Sequence, residues 1–284
     1  MASLPPYASP LERLWHYIFR GLCAGIFFFL IAPLVVIIPL SFNAVPYFTF
    51  TPEMIALDPA GYSTKWYQDF FTNLNWQGAV KNSVIIAIFS TALSTALGTM
   101  AALGLSRAHM PLRTAIMGLL ISPMIVPLII SAAGMYFFYS KIGLQGTYLG
   151  VILAHTALGT PFVVITVTAT LVGFDHSLTR ASASLGASPA RTFWKVIVPL
   201  ILPGVISGAL FAFITSFDEV VVVLFVASFE QRTIPWQMFS GIREHISPTI
   251  LAVATILTSV SILLLSAIEM LRRRGERLRG IQAT

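Results

Sequence analysis

Two adjacent carboxylates, Asp218 and Glu219, are the side chains of this sequence best suited to bind a charged ligand. They follow 22 residues, 196–217, that contain no Asp, Glu, Lys or Arg, and they precede the apolar run 220–225. A carboxylate in the hydrocarbon of a bilayer costs at least about 2.5 kcal/mol unless it faces protein or water. An acid in such a position is therefore a candidate functional group, and two of them suit a cation.

Helix geometry limits what this pair can do. On a helix counted from Gly204 at about 1.5 Å per residue, Asp218 lies roughly 21 Å along the axis, past the middle of a bilayer. Adjacent side chains point about 100° apart, so at most one of the acids faces a pathway. Phe217, with Phe211 and Phe213, offers apolar or cation–π contacts to a bound cation. Two alternatives stay open: the helix ends early with both acids in the outer aqueous layer, or the acids pair with a partner subunit.

Familiar catalytic patterns are missing from the sequence. There is no G-x-x-x-x-G-K-[ST] loop for phosphates and no Gly-Lys dipeptide, so no ATP hydrolysis is expected of this chain. The five histidines lack metal-ligand spacing, and His155 is expected to hydrogen-bond a neighbouring helix. Cys23 is the only cysteine, which excludes an internal disulfide. No catalytic residue, metal or cofactor is predicted for the chain.

The segment 175–195 carries the most specific local pattern. Residues 177–185 are rich in Ala and Ser, and Gly186 supplies the left-handed residue that commonly ends a helix. Ser188 followed by Pro189 is a typical N-cap and first-turn pair. The pattern predicts two short helices hinged at a glycine. Small residues on the first helix suit close docking in a groove of another protein, and a connector lying on the bilayer is the alternative.

The elements that must position these residues are transmembrane helices. Charged residues make up 10% of the sequence, where soluble proteins carry about 25%, and the mean hydropathy is +0.84. Six charge-free runs are each longer than the roughly 20 residues that cross a bilayer. The predicted spans are about 18–42, 82–106, 114–139, 147–172, 200–226 and 248–270. They predict an all-α membrane protein with a single transmembrane domain, 1–284, whose helices are kinked at prolines such as Pro123 and Pro127.

The basic residues predict the orientation of these helices. With the N-terminus in the cytoplasm, 12 of the 17 Lys and Arg residues fall on the cytoplasmic side, which favours N-in and C-in. The last span ends in a cluster of arginines: Arg272, Arg273, Arg274, Arg277 and Arg279. They are expected to anchor the topology. Because there is no soluble basic domain, no nucleic-acid partner is predicted.

An aromatic segment follows the first span on the predicted outer side. Within 53–81 it contains Trp66, Tyr67, Phe70, Phe71 and Trp76. The pattern fits an interfacial helix and also fits a docking surface for a receptor.

The loop 175–195 has a residue pattern that resembles a known family. Its matching residues are Leu185, Gly186, Ala187, Ser188, Phe193, Pro199 and Pro203. The order and spacing resemble the cytoplasmic signature loop of permease subunits of ABC importers. The resemblance implies a six-transmembrane-helix, MetI-like permease bundle, in which this loop forms the coupling helix that docks on an ATPase subunit. One position departs from the family pattern: Arg180 replaces the usual Glu and is followed by Ala181 and Ser182. An Arg there suits an acidic residue or a carbonyl group on the ATPase partner.

Weaker matches indicate one branch of that family. The segments 64–67, 161–164, 217–222 and 247–257 resemble spermidine/putrescine permeases. Asp218 matches the acidic position of that branch, which implies that it faces the pathway. An alkyl diamine fits such a place because it joins ammonium groups through an apolar stem.

The resemblance implies a permease subunit that moves a polyamine inward by alternating access. The same machine for an amino acid, 4-aminobutyrate or an opine is the alternative. An ATP-independent channel or secondary transporter would leave the loop 175–195 without a partner. The implied partners are an ABC ATPase dimer that binds ATP and Mg, a second permease subunit, homologous or identical, and a periplasmic solute-binding protein. The implied location is the lipid bilayer of the bacterial inner membrane.

Overall fold

The computed structural model describes residues 9–107, 110–175, 177–244 and 247–278, and these ranges are largely helical. The helices are α1 (Pro10–Leu40), α2 (Pro52–Ile55), α3 (Lys65–Thr72), α4 (Leu74–Leu105), α5 (Arg113–Ile125), α6 (Leu128–Ile142), α7 (Tyr148–Val172), α8 (Ser177–Ser184), α9 (Pro189–Thr192), α10 (Val198–Phe217), α11 (Val221–Val226), α12 (Ile234–Glu244) and α13 (Thr249–Leu278). A π-helical turn, Phe193–Ile197, joins α9 to α10. The described residues contain no strand, only an isolated bridge between Asn43 and Tyr62.

The chain folds into two compact units. We call residues 74–240 the central unit, and residues 1–73 together with 241–284 the terminal unit. No pattern in the sequence marked this division of the predicted domain 1–284. The central unit contains both segments of chemical interest, the acids at 218–219 and the loop 175–195.

Three long helices, α4, α7 and α10, form the core of the central unit. They approach closely because small residues lie where they cross. A Cβ at Gly98 of α4 would come within 2.6 Å of Val163 on α7, and one at Gly208 of α10 would come within 2.8 Å of the Val163 backbone. Membrane helices gain packing contacts in this way, since apolar surroundings do not drive them together. The close packing holds α7 and α10 side by side; α7 carries His155, and α10 ends immediately before the two acids.

The predicted span 114–139 consists of two helices in the structure. α5 and α6 meet at Val126 and Pro127 with a bend of 100°. Proline has no N–H to continue a helix and favours an extended conformation in the residue before it. Val126 adopts that conformation, with φ −68° and ψ 134°. The prolines predict a kink, and the structure shows a sharper turn of the chain.

The predicted span 200–226 is also divided, and the division falls at the acids. α10 ends at Phe217, Asp218 is its C-cap with φ −94° and ψ 0°, and α11 begins at Val221. The prediction of a helix that continues through both acids is therefore wrong. The early helix end agrees with one alternative that the sequence left open, but that alternative placed both acids in the outer aqueous layer, whereas Glu219 is buried.

In the terminal unit, the apolar helix α1 is exposed along nearly its whole length, and Leu40 is its only buried residue. A capping box between Ser9 and Glu12 fixes its first turn. An exposed apolar helix of this length suits contact with lipid.

The aromatic residues of α3 mostly face into the terminal unit. The indole N–H of Trp66 donates to the carbonyl of Asn43 at 2.6 Å, Tyr67 is half-buried and Phe70 is buried. Phe71 is 63% exposed. Of the aromatic residues in this helix, Phe71 is the one placed as an interfacial or docking residue would be.

Four helical stretches among the described residues are long and apolar enough to cross a membrane: Pro10–Leu40, Leu74–Leu105, Tyr148–Val172 and Pro189–Phe217. The bent pair of α5 and α6 makes a fifth if it counts as one crossing. In α13 the apolar part that is described, Thr249–Leu263, is shorter. The side chains of arginines 272–274 and 277, and the whole of Arg279, lie outside the described part of the chain. The count of six spans stays a prediction.

Candidate functional site

The two candidate acids stand in opposite environments. The side chain of Asp218 is exposed, whereas Glu219 has a relative exposure of 5%. The main-chain N–H of Asp218 donates to the carbonyl oxygen of Ile214 at 3.0 Å, and this bond closes the last turn of α10. Among the described residues, none hydrogen-bonds or ion-pairs with the Asp218 carboxylate. Because the chain leaves the helix at Asp218, the two neighbouring carboxylates reach different surroundings.

Glu219 caps the short helix that follows. Its Oε2 accepts hydrogen bonds from the main-chain N–H groups of Val222 at 2.9 Å and Val223 at 3.2 Å. The first N–H groups of any helix lack partners within the helix, and a carboxylate there also meets the positive end of the helix dipole. The buried start of α11 is therefore stabilised by this side chain.

His155 links the region of the acids to α7. It is 1% exposed, and its Nδ1 lies 2.8 Å from the hydroxyl of Ser216 on α10. The hydroxyl of Ser90 on α4 lies 2.8 Å from the hydroxyl of Ser216 and 3.2 Å from the carbonyl oxygen of Ala87. The other ring nitrogen of His155, Nε2, lies 3.8 Å from Oε2 of Glu219. We call Ser90, His155, Ser216 and Glu219 the buried polar cluster.

The prediction that His155 hydrogen-bonds a neighbouring helix is confirmed. Sequence reasoning missed Ser90 and Ser216. Their signal was weak, because other hydroxyl residues, such as Thr91 and Thr215, lie directly beside them in the sequence and the two serines are 126 residues apart.

The three phenylalanines near the acids form two separate pairs. Phe213 and Phe217 stack with ring centroids 5.7 Å apart. Phe211 instead stacks on Phe162 of α7 at 6.0 Å. Phe217 is half-buried and adjoins Asp218, so it is placed to offer an apolar surface beside the exposed carboxylate, and Phe211 is not.

The loop 175–195 contains the two short helices that the sequence predicts. Gly186 has φ +77°, the left-handed conformation that glycine adopts without strain. The hydroxyl of Ser188 accepts from the N–H of Arg191 at 3.3 Å and caps α9. The hydroxyls of Ser182 and Thr192 lie 2.9 Å apart and tie α8 to α9. The hinge is thus held in one geometry by local contacts.

The outer surface of this loop is unusually apolar for an exposed turn. Leu185 is 88% exposed, and Arg180 and Ala181 beside it are also exposed. Ala187 is half-buried, and Phe193 is half-buried at the start of the π-helical turn. A highly exposed leucine five residues after an exposed arginine suits docking on another protein.

A second polar group, also missed from the sequence, fixes the loop after α11. The side-chain amide of Asn82 donates to the carbonyls of Glu230 at 2.7 Å and Arg232 at 2.9 Å. The hydroxyl of Tyr148 donates to Asn82 at 2.7 Å. The chain following the acids is therefore bound to the starts of α4 and α7.

Comparison with known proteins shows what this architecture belongs to. Residues 94–276 match the family model described as binding-protein-dependent transport system inner membrane component, which is more than half of the chain. The chain belongs to this family of ABC importer permeases. The permease is therefore a transport subunit and a multi-pass protein of the bacterial inner membrane.

The curated relatives of the permease include transporters of polyamines. The spermidine/putrescine transport system permease protein PotC of Haemophilus influenzae is 31% identical over 250 residues, which cover 88% of this chain and 94% of PotC. The putrescine transport system permease protein PotI of Escherichia coli is 30% identical over 291 residues, with coverage of 99% and 98%. The molybdenum transport system permease protein ModB of Mycobacterium bovis is 32% identical over 180 residues, 57% of this chain. The permease thus resembles the polyamine branch over nearly its whole length.

Solved structures share the fold of the permease. A chain of a bacterial ABC transporter involved in the import of the acidic polysaccharide alginate matches with a TM-score of 0.70 and 15% identity, covering 94% of this chain and 99% of that one. The MetNI methionine ABC transporter matches with a TM-score of 0.51 and 20% identity, covering 72% and 95%. These likenesses confirm the predicted all-α, MetI-like permease fold.

Proposed function

We propose that this permease subunit carries a small cation into the cell, and that the cation is a polyamine such as putrescine or spermidine. The observation that carries the proposal is Asp218, an exposed carboxylate at the end of an apolar helix with no partner among the described residues. In a membrane protein such a group needs water or a ligand. The names of PotC and PotI support the same class of solute.

In the proposed binding mode, an ammonium group of the solute pairs with Asp218. The half-buried ring of Phe217, stacked on Phe213, lies beside the alkyl stem. A diamine satisfies both surfaces at once, because its charged groups are joined by methylenes. A metal ion is a poorer occupant, since a single carboxylate beside aromatic rings supplies few oxygen ligands.

Transport is proposed to be driven by a separate ABC ATPase dimer, which binds the ATP and Mg²⁺, while this chain holds no cofactor or metal. The proposed coupling residues are Arg180, Ala181, Leu185, Gly186, Ala187, Ser188 and Phe193. α8 and the exposed Leu185 contact the ATPase, and the π-helical turn at Phe193 joins the loop directly to α10. Movement of the loop would thus reach the helix that ends at Asp218, which gives alternating access a mechanical route.

Two further partners complete the proposal. A periplasmic solute-binding protein delivers the solute, as the description of the family implies. A second, homologous permease subunit faces this one across the pathway, and a second copy of this chain is the other arrangement. The same machine for an amino acid, 4-aminobutyrate or an opine is the second candidate, because each of these solutes also carries an ammonium group.

Uptake of labelled solutes by cells that carry the full transporter tests the proposal. Asp218→Asn removes the charge and keeps the shape, and loss of a hydrogen bond to a charged group costs about 1.5–3 kcal/mol. Putrescine or spermidine uptake is expected to fall roughly tenfold to hundredfold, with partial recovery in Asp218→Glu.

Glu230→Gln is the matched control, because Glu230 is an exposed acid of the same unit outside the site. It should leave uptake unchanged. Uptake of 4-aminobutyrate or sulfate in place of polyamines would contradict the solute assignment. Polyamine uptake that is indifferent to Asp218→Asn would contradict the site.

A further inference from the structure

The buried polar cluster joins four helices at the break between α10 and α11. Ser90 belongs to α4, His155 to α7 and Ser216 to α10, while Glu219 caps α11. The last turn of α10 and the first turn of α11 are therefore both contacted by this one set of side chains. Nothing in the proposed transport of a cation assigns a role to this set.

The interruption requires such a set of partners. Where α10 stops and α11 starts, main-chain N–H groups lose their helical partners in a buried place, and buried N–H groups without partners are destabilising. Glu219 accepts two of them with one oxygen, while its other oxygen, Oε1, is buried and has no hydrogen-bond partner in the described part of the chain. His155 Nε2 is likewise buried, makes no hydrogen bond to any described residue, and lies 3.8 Å from Oε2 of the same carboxylate.

We propose that Glu219, His155 and Ser216 are positioning residues that hold the break between α10 and α11, and thereby fix the place of the Asp218 carboxylate. Glu219 does not bind the solute itself. The part that concerns the solute rests on the proposed function. The division of roles follows from environment: Asp218 is exposed and has no partner among the described residues, whereas Glu219 is buried and already accepts two hydrogen bonds.

The proposal separates two substitutions at Glu219. A Gln side chain has the same shape, and its carbonyl oxygen can accept the same two N–H groups, so the cap survives without the charge. An Ala side chain removes the cap. A cation-binding acid would behave differently, because Gln would abolish binding as fully as Ala.

The first test compares uptake kinetics of labelled putrescine for Glu219→Gln, Glu219→Ala and Asp218→Asn in the full transporter. Glu219→Gln is expected to keep the half-saturation concentration within about threefold of the parent. Glu219→Ala and Asp218→Asn are both expected to raise it by tenfold or more. If Glu219→Gln is as damaging as Asp218→Asn, Glu219 binds the solute and the proposal is overturned.

The second test needs no solute. In full transporter with Cys23→Ser, the change Asp218→Cys places a single thiol of this chain at the exposed position, and its rate of reaction with a charged, membrane-impermeant thiol reagent reports its surroundings. Adding His155→Gln, Ser216→Ala or Glu219→Ala is expected to change that rate at least threefold, measured per assembled complex. Ser94→Ala is the matched control, because Ser94 is a buried hydroxyl of α4 that bonds Thr156 outside the cluster. It should change the rate less than twofold.

The outcomes of the two tests distinguish a failure of the positioning role from a failure of the solute assignment. Equal labelling rates in the cluster variants and in Ser94→Ala would overturn the positioning role, whatever solute is carried. If the labelling rates change as expected while polyamine uptake is indifferent to Asp218→Asn, the positioning role stands and the proposed function is wrong. If the thiol at 218 does not react in the parent, the pathway position of Asp218 is wrong, and the kinetics of Glu219→Gln decide the role of Glu219.

Discussion

At the scale of single residues, charge and exposure together decide what each polar group can do. Arg180 lies on the exposed side of α8, close in sequence to the exposed Leu185. In the proposed coupling loop an exposed positive charge favours an acidic surface on the ATPase. The contribution of one such pair is modest, since exposed ion pairs are typically worth 0.2–1 kcal/mol. That range corresponds to at most about a fivefold change in a binding constant.

Reversing this charge is a direct test. Arg180→Glu is expected to lower ATP-driven uptake about twofold to fivefold with the native ATPase, because a favourable contact becomes a repulsive one. The loss should shrink at high ionic strength in reconstituted vesicles, since salt screens exposed charges. Arg107→Glu, an exposed arginine outside the loop, serves as the control. Uptake that rises in Arg180→Glu would show that the ATPase surface is basic at this point.

At the scale of elements, the chain uses interruptions to place its functional groups. The π-helical turn joins the loop 175–195 to α10, and the break at 218–220 separates an exposed acid from a capping acid. At Pro127 the chain bends sharply between α5 and α6. Each interruption leaves main-chain groups without helical partners, so each needs local partners of its own. The hinge at Gly186 meets this need with the Ser188 cap.

Gly186→Ala tests whether that hinge matters for docking. The residue has φ +77°, where a side chain costs roughly 1 kcal/mol, and a Cβ there would meet no atom within 4 Å. The cost is therefore purely conformational, and the apparent affinity of the permease for its ATPase should fall by up to about fivefold. Titration of the permease with its ATPase measures the shift. Gly104→Ala, in the open surroundings of α4, should leave the titration unchanged, and equal effects of both changes would contradict the hinge.

Some elements are predictable from the sequence and others are not. The difference depends on how far apart in the sequence the residues that stabilise each element lie. The two short helices of the loop were predictable because Gly186, Ser188 and Pro189 act on neighbouring residues. The break after Phe217 was only an alternative, because the partners that stabilise it come from elsewhere: His155 is 61 residues from Ser216. Hydropathy alone therefore predicted one span where the structure has α10 and α11.

At the scale of the whole molecule, this subunit is proposed to act only in a complex with other chains. It contains no loop for nucleotide phosphates, and its most exposed large side chain in the loop, Leu185, has nothing to pack against within the described residues. An apolar side chain at this exposure favours burial at an interface, and fully burying a leucine is worth about 1.5–3 kcal/mol. Lipid can cover the exposed apolar side chains of α1, whereas Leu185, in the proposed coupling loop, is expected to be covered by a protein partner.

Removing this apolar anchor should therefore weaken assembly more than any single charge change. Leu185→Ser is expected to lower the affinity of the permease for its ATPase by roughly tenfold to hundredfold, read as loss of co-purifying ATPase from membranes at equal permease levels. Leu57→Ser is the matched control, because Leu57 is 77% exposed and lies in the terminal unit, outside the loop. Retention of the ATPase by Leu185→Ser, or an equal loss in both variants, would contradict docking through this loop. Loss in Leu185→Ser alone would identify the exposed leucine as a docking point for the ATPase, and only α9 and one π-helical turn separate it along the chain from α10, the helix that ends just before Asp218.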